Sequence, residues 1–173
     1  MTTTIKKILS VFVTDLAAYN AGELRGEWLE LPTDEDEIAE CIERVTRGED
    51  HEIFITDSES DIGMEAGEYD SIEDLNEKAQ AFEDLDEWEQ EIAEAILECG
   101  AASDISAAVD MVDDCTLYSD CETLEDLAYQ LVDEGAFGDI PDSIANYIDY
   151  EAIARDLNYD NYYETSKGVL WIG

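Results

Sequence analysis

The chain has 173 residues, of which 47 are Asp or Glu and only 8 are Lys or Arg, so its formal net charge is −39 at pH 7. A surface this acidic would repel the phosphate backbone, which excludes direct binding to DNA or RNA. Hydrophobic residues make up 45% of the chain, as in an ordinary globular domain, and they alternate with the acids, which excludes a disordered acidic tail.

The first third of the chain is predicted to form a small antiparallel sheet covered by one helix. Residues 8–14, 26–31 and 52–57 are short runs rich in branched or aromatic residues, which is typical of strands. Between the second and third runs, Thr33 and Asp36 have the spacing of a capping box, and apolar residues then recur at helical intervals. We expect this helix to cover one face of the sheet.

Residues 71–112 change to a period of 3.6, which predicts a helical region. Ser71 is the expected N-cap of the first helix. An apolar stripe over residues 88–99, ending at Gly100, marks the second helix, and Ser103 is the expected cap of the third. Four carboxylates are predicted to line the face of the second helix opposite the stripe: Glu87, Glu91, Glu94 and Glu98.

In the last third, Thr123 with Asp126 forms another capping box, before a helix that is expected to end at Gly135. The remaining predicted elements are a helix after Pro141, a strand over residues 115–119, and a terminal hairpin of residues 162–165 and 169–172.

The fold class predicted from these elements is α+β, as an elongated chain of three small subdomains. Residues 1–62 are expected to form a small N-terminal antiparallel sheet with a helix, and residues 63–112 a central helical subdomain. Residues 113–173 are expected to form a C-terminal subdomain of mixed helices and strands.

No pattern of catalytic or metal-binding residues emerges. The four cysteines form no CxxC pair and His51 is the single histidine, which argues against a zinc site, and Cys41 and Cys99 are predicted to be buried thiols. The sequence lacks the GxSxG, phosphate-loop and HExxH motifs, so we predict a protein that is not an enzyme and has no metal or cofactor.

A calcium-loop spacing is present but incomplete. Asp57, Glu59, Asp61 and Glu68 occupy its first, third, fifth and twelfth positions, whereas Ile62 stands where such a loop needs glycine. This argues against an EF-hand. No apolar run approaches the about 20 residues of a membrane span, and the N-terminal segment lacks a cleavage pattern, so a cytoplasmic location is expected.

The acidic charge is concentrated in one part of the chain. Between Lys78 and Arg155 lie 76 residues with 22 acids and no Lys or Arg. At one charge per about 1.7 Å of duplex axis, 39 charges correspond to about 20 base pairs, so the basic groove of a DNA-binding protein could accept this chain in place of DNA. The carboxylates expected to substitute for phosphates are Asp84, Asp86, Glu87, Glu91, Glu94, Glu98, Asp104, Asp110, Asp113 and Asp114.

Three segments resemble the ArdA family of antirestriction proteins. They are residues 19–28 (YNAGELRGEW), residues 146–157 (NYIDYEAIARDL), and residues 126–140 (DLAYQLVDEGAFGDI), the last being similar to the antirestriction motif of that family. The resemblance extends from about residue 8 to residue 172. Tyr19, Leu24 and Trp28 are expected to be core residues, and Gly22 and Gly26 to meet a backbone demand.

The resemblance implies a mimic of B-form DNA that occupies the DNA-binding groove of type I restriction-modification enzymes. It would act in the cytoplasm of a recipient bacterial cell and protect plasmids, transposons or phage genomes. It also implies an elongated subunit that forms a homodimer through its C-terminal part, and it transfers no catalytic residue or cofactor. The motif and dimer-contact residues are Asp126, Leu127, Tyr129, Leu131, Asp133, Glu134, Phe137 and Asp139, of which Phe137 is expected to be partly exposed.

Two other function classes fit the composition. One is an ordinary cytosolic domain or enzyme of a salt-loving organism, in which the acids are a solvent adaptation, and which should unfold when salt is removed. The other is an acidic chaperone for basic proteins, which competition against DNA for a purified type I enzyme would distinguish from a DNA mimic.

Overall fold

The computed structural model describes residues 5–173, which contain seven α-helices and six strands in two three-stranded antiparallel sheets. The fold is therefore α+β with small sheets, as predicted. Two compact units are formed. The first contains the described residues up to Asp86 together with Asp104–Val109, and the second contains Glu87–Ser103 and Asp110–Gly173. The division into three subdomains stays a prediction.

The sheet of the first unit has the strand order β2-β1-β3, with β1 (Leu9–Asp15) between β2 (Gly26–Leu31) and β3 (Ile53–Glu59). All three predicted strands are confirmed to within two residues at each end. Helix α1 (Leu16–Asn20) follows β1 directly, and α2 (Glu35–Thr46) contacts β1 and β2. The core of this unit holds the fully buried side chains of β1 and the buried face of α2: Leu9, Val11, Val13, Ile38, Cys41 and Val45.

The start of α2 differs from the prediction. Its N-cap is Asp34, whose side chain makes no capping hydrogen bond, so Thr33 is not the cap. The backbone of Thr33 instead pairs with Asn76 of α3 (Ile72–Glu83): its N–H donates to Asn76 Oδ1 at 2.8 Å and its carbonyl accepts from Asn76 Nδ2 at 3.0 Å. These two bonds attach α3 to the segment between β2 and α2. The predicted cap of α3, Ser71, is confirmed because its Oγ accepts from Asp74 N.

Three residues predicted to lie in the core are exposed. Tyr19, at the end of α1, keeps 48% of its surface exposed, Leu24 keeps 85%, and Trp28 on β2 keeps 44%. The Trp28 ring packs edge-on against Phe12 of β1, with ring centroids 5.3 Å apart. Both side chains lie on the partly exposed face of the sheet. The core prediction is wrong for these residues because the inward positions of the sheet are filled by aliphatic side chains.

The glycines in the same segment have the predicted backbone roles. Gly22 has φ +82°, a left-handed conformation that glycine adopts without strain. Gly26 faces Thr14 across the β1–β2 pair, where a Cβ atom would lie 2.6 Å from the Phe12 ring and 2.6 Å from the Val13 carbonyl oxygen. Strand β2 can therefore approach β1 only with glycine at this position.

The second unit contains α4 (Glu87–Glu98), the end of α5 (Ile105–Met111), and a sheet of order β4-β6-β5. Its strands are β4 (Cys115–Tyr118), β5 (Tyr162–Thr165) and β6 (Gly168–Ile172), which confirms the predicted strand and the terminal hairpin. The predicted cap of α5 is wrong by one residue, because the carboxylate of Asp104 and not Ser103 accepts a hydrogen bond from Ala107 N, at 2.9 Å.

Helices α6 (Leu124–Asp133) and α7 (Tyr150–Leu157) pack against each other in the second unit. Their contact contributes to an apolar cluster with β6: Cys121, Leu124, Leu127, Ala128, Leu157 and Val169. The capping box of Thr123 and Asp126 is confirmed, and α6 ends one residue before its C-cap Glu134, next to Gly135 at φ +79°.

The helix predicted after Pro141 begins later than expected, because α7 starts only at Tyr150 and leaves Ile144, Tyr147 and Ile148 outside it. Ile144 precedes a short 3₁₀ turn, Ala145–Tyr147, and Ile148 then has an extended backbone. The helix starts where Asp149 can cap it, since the Asp149 carboxylate accepts from Ala152 N at 3.0 Å. The apolar residues of the turn remain outside the helix, and Tyr147 is 84% exposed.

Candidate anionic surface

Arginines and a lysine pair with many of the carboxylates of the first unit. Arg44 on α2 is the centre of one group: its Nη2 lies 2.6 Å from Glu27 on β2 and 3.0 Å from Glu37, and its Nη1 lies 3.8 Å from Glu40. The hydrogen bond from Arg44 lowers the pKa of Glu27 despite partial burial of that carboxyl. Similar pairs join Arg25 and Arg47 to Glu23, and Lys7 to Glu59.

Asp15 is a fully buried carboxylate at the corner between β1 and α1. It accepts hydrogen bonds from Ala18 N at 3.1 Å and from Arg25 Nη1 at 3.2 Å, and one oxygen lies 2.9 Å from His51 Nδ1. Burial opposes ionisation, but the bonds to His51 and Ala18 lower the pKa of Asp15 overall. The same contact with Asp15 raises the pKa of His51. This charge is held inside the first unit and takes no part in an external anionic surface.

The predicted mimic carboxylates of the first unit are all exposed, but they differ in their surroundings. Asp84 is the C-cap of α3 and accepts from Gln80 Nε2 at 2.9 Å. Asp86 is exposed at the end of this unit. Asp104 is a helix cap that also lies 3.7 Å from Lys78 Nζ, and the hydrogen bond from Ala107 N is the main reason that its pKa is lowered. Asp104 thus has a local structural role.

Helix α4 does not present four carboxylates on one open face. Glu87 is exposed and Glu91 is half-buried, but Glu94 is buried and lies 3.1 Å from Lys167 Nζ. Residues 92–96 are all buried, so the middle turn of the helix has no open side, and the predicted exposed position is wrong for Glu94. Glu98 remains exposed, although it accepts from Ser166 N at 2.8 Å and from Ser166 Oγ at 2.6 Å.

The remaining three predicted carboxylates lie near the end of α5 and are exposed. Asp110 belongs to α5, and Asp113 and Asp114 to the 3₁₀ turn Val112–Asp114 that precedes β4. Within residues 5–173, the side chains of these three, like those of Glu87 and Glu91, have no hydrogen-bond or ion-pair partner. Of the ten predicted carboxylates, these five, the unpaired set, have no partner in the described residues and are available to an external cation.

The spacing of acids along the helices approaches that of phosphates. Helices α2 and α4 each carry five acids in twelve residues. At a rise of about 1.5 Å per residue this is one carboxylate per about 3.6 Å, whereas one DNA strand has a phosphate per about 3.4 Å of axis. Because Glu94 is buried, the spacing available on α4 is about 4.5 Å.

In the described part of the chain, no three His, Cys, Asp or Glu side chains are grouped as metal ligands. All four cysteines are free thiols; Cys41 is buried as predicted, whereas Cys99 is only partly buried. Burial raises the pKa of Cys41 to about 12, so this thiol does not ionise near neutral pH. None of the helices over residues 5–173 is both long and apolar enough to cross a bilayer.

Residues 11–170 match the family model described as antirestriction protein (ArdA), which is nearly the whole chain. The chain belongs to the ArdA antirestriction family. No curated protein matches the chain. Membership gives the coarse function, antirestriction, and it confirms the family that the three sequence segments indicated.

The segment predicted to be the antirestriction motif, residues 126–140, contributes to both the core and the surface of the second unit. Asp126 belongs to the capping box of α6, Leu127 is fully buried in the core of the second unit, and Leu131 packs against that core. Tyr129 is exposed and stacks on Tyr150 of α7, with ring centroids 3.7 Å apart. Three acids at the end of α6 and after it are exposed: Asp133, Glu134 and Asp139.

Phe137 lies in the turn after α6 and keeps 56% of its surface exposed, which confirms the prediction for this ArdA motif residue. Sequence reasoning missed two features of the family member. It gave no sign of the pairing between Asp15, His51 and Arg25, whose members are far apart along the chain. It also missed helix α1, although Asp15 directly before Leu16 is a suitable cap.

Proposed function

We propose that this ArdA protein is a non-enzymatic DNA mimic that occupies the basic DNA-binding groove of type I restriction-modification enzymes. It acts in the cytoplasm of the recipient bacterial cell and protects incoming DNA of mobile elements from restriction. Its carboxylates take the places of phosphates, and the enzyme supplies the Lys and Arg residues. Because no base is read, inhibition extends to enzymes that recognise different target sequences.

The observation that carries this proposal is the unpaired set: Glu87, Glu91, Asp110, Asp113 and Asp114. A surface carboxylate that already has a cation partner gains little from a second one, whereas an unpaired carboxylate gains a full ion pair when it meets a basic groove. Asp84, Asp86, Glu98 and Asp104 are exposed and can add to the same field. Glu94 is left out of the proposed surface because it is buried beside Lys167.

Restriction of unmodified phage tests the function directly. Phage grown on a host without a modification system is plated on a host with a type I enzyme, with and without the protein. The proposal predicts that expression restores plating efficiency towards that of a host lacking the enzyme. An unchanged efficiency, with the folded protein present in the cells, would refute the antirestriction function.

A neutralisation experiment tests the phosphate-substitute mechanism. In the first variant, four members of the unpaired set lose their charge: Glu87→Gln, Glu91→Gln, Asp113→Asn and Asp114→Asn. The matched control loses four exposed charges of the first unit that have no side-chain partner among residues 5–173: Glu35→Gln, Asp36→Asn, Glu43→Gln and Asp50→Asn. Both variants have the same net charge, so a difference between them depends on position.

Competition with duplex DNA for the purified enzyme, at several salt concentrations, gives the readout. If four ion pairs are lost, the slope of log affinity against log salt falls by about 3.6 for the first variant and by less for the control. Single substitutions should change inhibition little, because the attraction is summed over many sites. Equal slopes for the wild type and the first variant would show that these carboxylates are not the mimic surface.

A homodimer formed through the C-terminal motif is part of the same proposal. Phe137 and Tyr147 are large apolar side chains of the second unit that remain exposed, and contact with a second copy would remove them from water. Phe137→Asp should reduce the mass found by light scattering from that of a dimer to that of a monomer, whereas Tyr159→Asp, at another exposed tyrosine of this unit, should not. A dimer that persists in Phe137→Asp would refute this contact.

A further inference from the structure

A groove on the first unit, the Tyr19 groove, has a chemistry unlike the rest of the acidic surface. Its volume is about 490 Å³, within the range of about 300–1,000 Å³ that is usual for ligand sites. It is lined by side chains from α1, the following turn, β3 and the segment after β3: Tyr19, Leu24, Phe54, Asp57, Ala66 and Glu68.

Two apolar side chains that line the groove, those of Tyr19 and Leu24, stay open to water. Tyr19 lies edge-on to Phe54 with ring centroids 5.3 Å apart, and Tyr69 stacks on the same ring at 6.2 Å. Phe54 is buried, but Tyr69 is 74% exposed and Leu24 is 85% exposed. A single exposed apolar residue is ordinary, whereas Tyr19 and Leu24 are exposed together on one concave surface, as at a ligand site.

The charge of the groove selects the kind of ligand. Asp57 and Glu68 line it, both are exposed, and no Lys or Arg is among its lining residues. The only side-chain hydrogen bond of Asp57 within residues 5–173 is with its neighbour Ser58 N, and the Glu68 carboxylate has none. A ligand must therefore bring positive charge for the two carboxylates, and a cation can also lie over the face of Tyr19.

The groove runs along an extended strand. Strand β3 is an edge strand of its sheet, and its residues 55–58 line the groove. At Ile55 the outer edge is occupied, since Ile55 N donates to the Glu68 carbonyl at 2.8 Å. A peptide that lies along this groove is therefore held by its side chains, and in an extended peptide every second side chain points to the same face.

We propose that the Tyr19 groove binds an extended segment of the target enzyme in which arginine alternates with aliphatic residues. The guanidinium group pairs with Asp57 or Glu68 and stacks on a tyrosine, and the aliphatic side chain packs on Leu24. Duplex DNA presents no such apolar surface, so this contact adds protein-specific affinity to the charge mimicry. The identity of the partner rests on the proposed function, but the ligand chemistry rests on the groove alone.

Peptide binding to the isotope-labelled full chain tests this inference without the enzyme. Two nine-residue peptides of equal charge are used, one alternating Arg with Leu and the other alternating Arg with Gly. At physiological salt, the Arg–Leu peptide should bind at least about tenfold more tightly, and it should shift the amide signals of Ile55, Asp57 and Glu68. The double variant Leu24→Ala with Tyr19→Ala, at two exposed lining residues, should lose this preference, while Tyr159→Ala, at an exposed tyrosine of the second unit, should keep it.

Three results would overturn the inference. The first is equal affinity for the two peptides. The second is amide shifts spread over the acidic surface instead of the groove. The third is groove signals that change on dilution of the protein without peptide, which would make a second copy of the chain the occupant. Phage plating separates this test from the proposed function, because a chain that selects the Arg–Leu peptide but gives no protection refutes only the latter. Circular dichroism confirms that the double variant, changed at two exposed positions, stays folded.

Discussion

Removal of the Lys167 ammonium group should destabilise the second unit strongly, although the chain is so acidic that one charge changes its total little. Lys167 Nζ lies 3.1 Å from Glu94, and the side chains of the two residues are 27% and 9% exposed. Lys167→Met keeps most of the aliphatic stem and removes the cation. Breaking a buried ion pair costs about 3–5 kcal/mol; because water still reaches Lys167, we expect the low end, about 3 kcal/mol.

Urea unfolding followed by circular dichroism measures this cost. With an m value of about 2 kcal/mol/M, a loss of about 3 kcal/mol lowers the midpoint by about 1.5 M. Arg155→Met is the matched control, since it also removes one positive charge, and Arg155 is exposed and has no ion pair within residues 5–173. The control should change stability by at most about 0.5 kcal/mol.

The double variant Glu94→Gln with Lys167→Met identifies the cause. In the double variant the side chain at position 94 is neutral, so it no longer needs the Lys167 ammonium group. The double variant should therefore be more stable than Lys167→Met alone. The reasoning is refuted if Lys167→Met unfolds at the same urea concentration as Arg155→Met, or if Glu94→Gln further destabilises the Lys167→Met chain. The first result would mean that Glu94 behaves as a solvated surface acid and should be returned to the proposed mimic surface. The second would mean that contacts other than the one with Lys167 stabilise the buried carboxylate.

Three further predictions concern pH, the backbone and salt. The hydrogen bond with Asp15 raises the pKa of His51 above its usual 6.5, so the stability from this contact is complete below about pH 6.5 and is lost as the pH rises through the higher folded-state pKa. In urea unfolding from about pH 6 to 9, His51→Gln should abolish this loss of stability. The same dependence of the urea midpoint on pH in His51→Gln and in the wild type would contradict the prediction. Gly168→Ala should cost about 2–4 kcal/mol in the same assay, because φ is +131° and a Cβ would collide with the Tyr118 backbone, whereas Gly138→Ala, with φ +90° and open space, should cost less; equal losses would rule out the collision. The chain should keep its circular dichroism spectrum in dilute buffer, since its core is apolar, and unfolding there would favour a salt-dependent halophilic protein.

Local signals in the sequence predicted most elements of the fold. Ser71 and Thr123 cap their helices as expected, because a capping hydrogen bond spans only three residues and is contained in the sequence itself. The cap of α5 is Asp104 and not the preceding Ser103, since aspartate caps a helix as well as serine does. At the start of α2 the Thr33 backbone pairs with Asn76, and the N-cap residue Asp34 makes no side-chain capping bond, so no local signal could identify this helix start.

The predictions for Glu94 and Leu24 are wrong for a different reason. Glu94 was predicted to lie opposite the apolar stripe, but it is only about 100° around the helix from Ala95 and therefore lies at the margin of the stripe. It is buried beside Lys167, which is 73 positions later, and no local pattern contains that contact. Leu24 shows the reverse error: an apolar residue was assigned to the core, but the sheet had already filled its inward positions with residues such as Val11 and Leu29.

The position of the few cations determines what each acid can do. Arg44 joins β2 to α2 through Glu27 and Glu37, so neutralising Glu27 would remove a bond between two elements of the first unit. Neutralising Asp113 would remove the same charge from the total and no bond within residues 5–173. Two variants of equal net charge can therefore have different effects. Neutralising Glu27 should mainly reduce stability, whereas neutralising Asp113 should leave the fold intact and reduce the affinity for a basic groove. Stability and inhibition must be measured on the same variants for charge mimicry to be separated from folding.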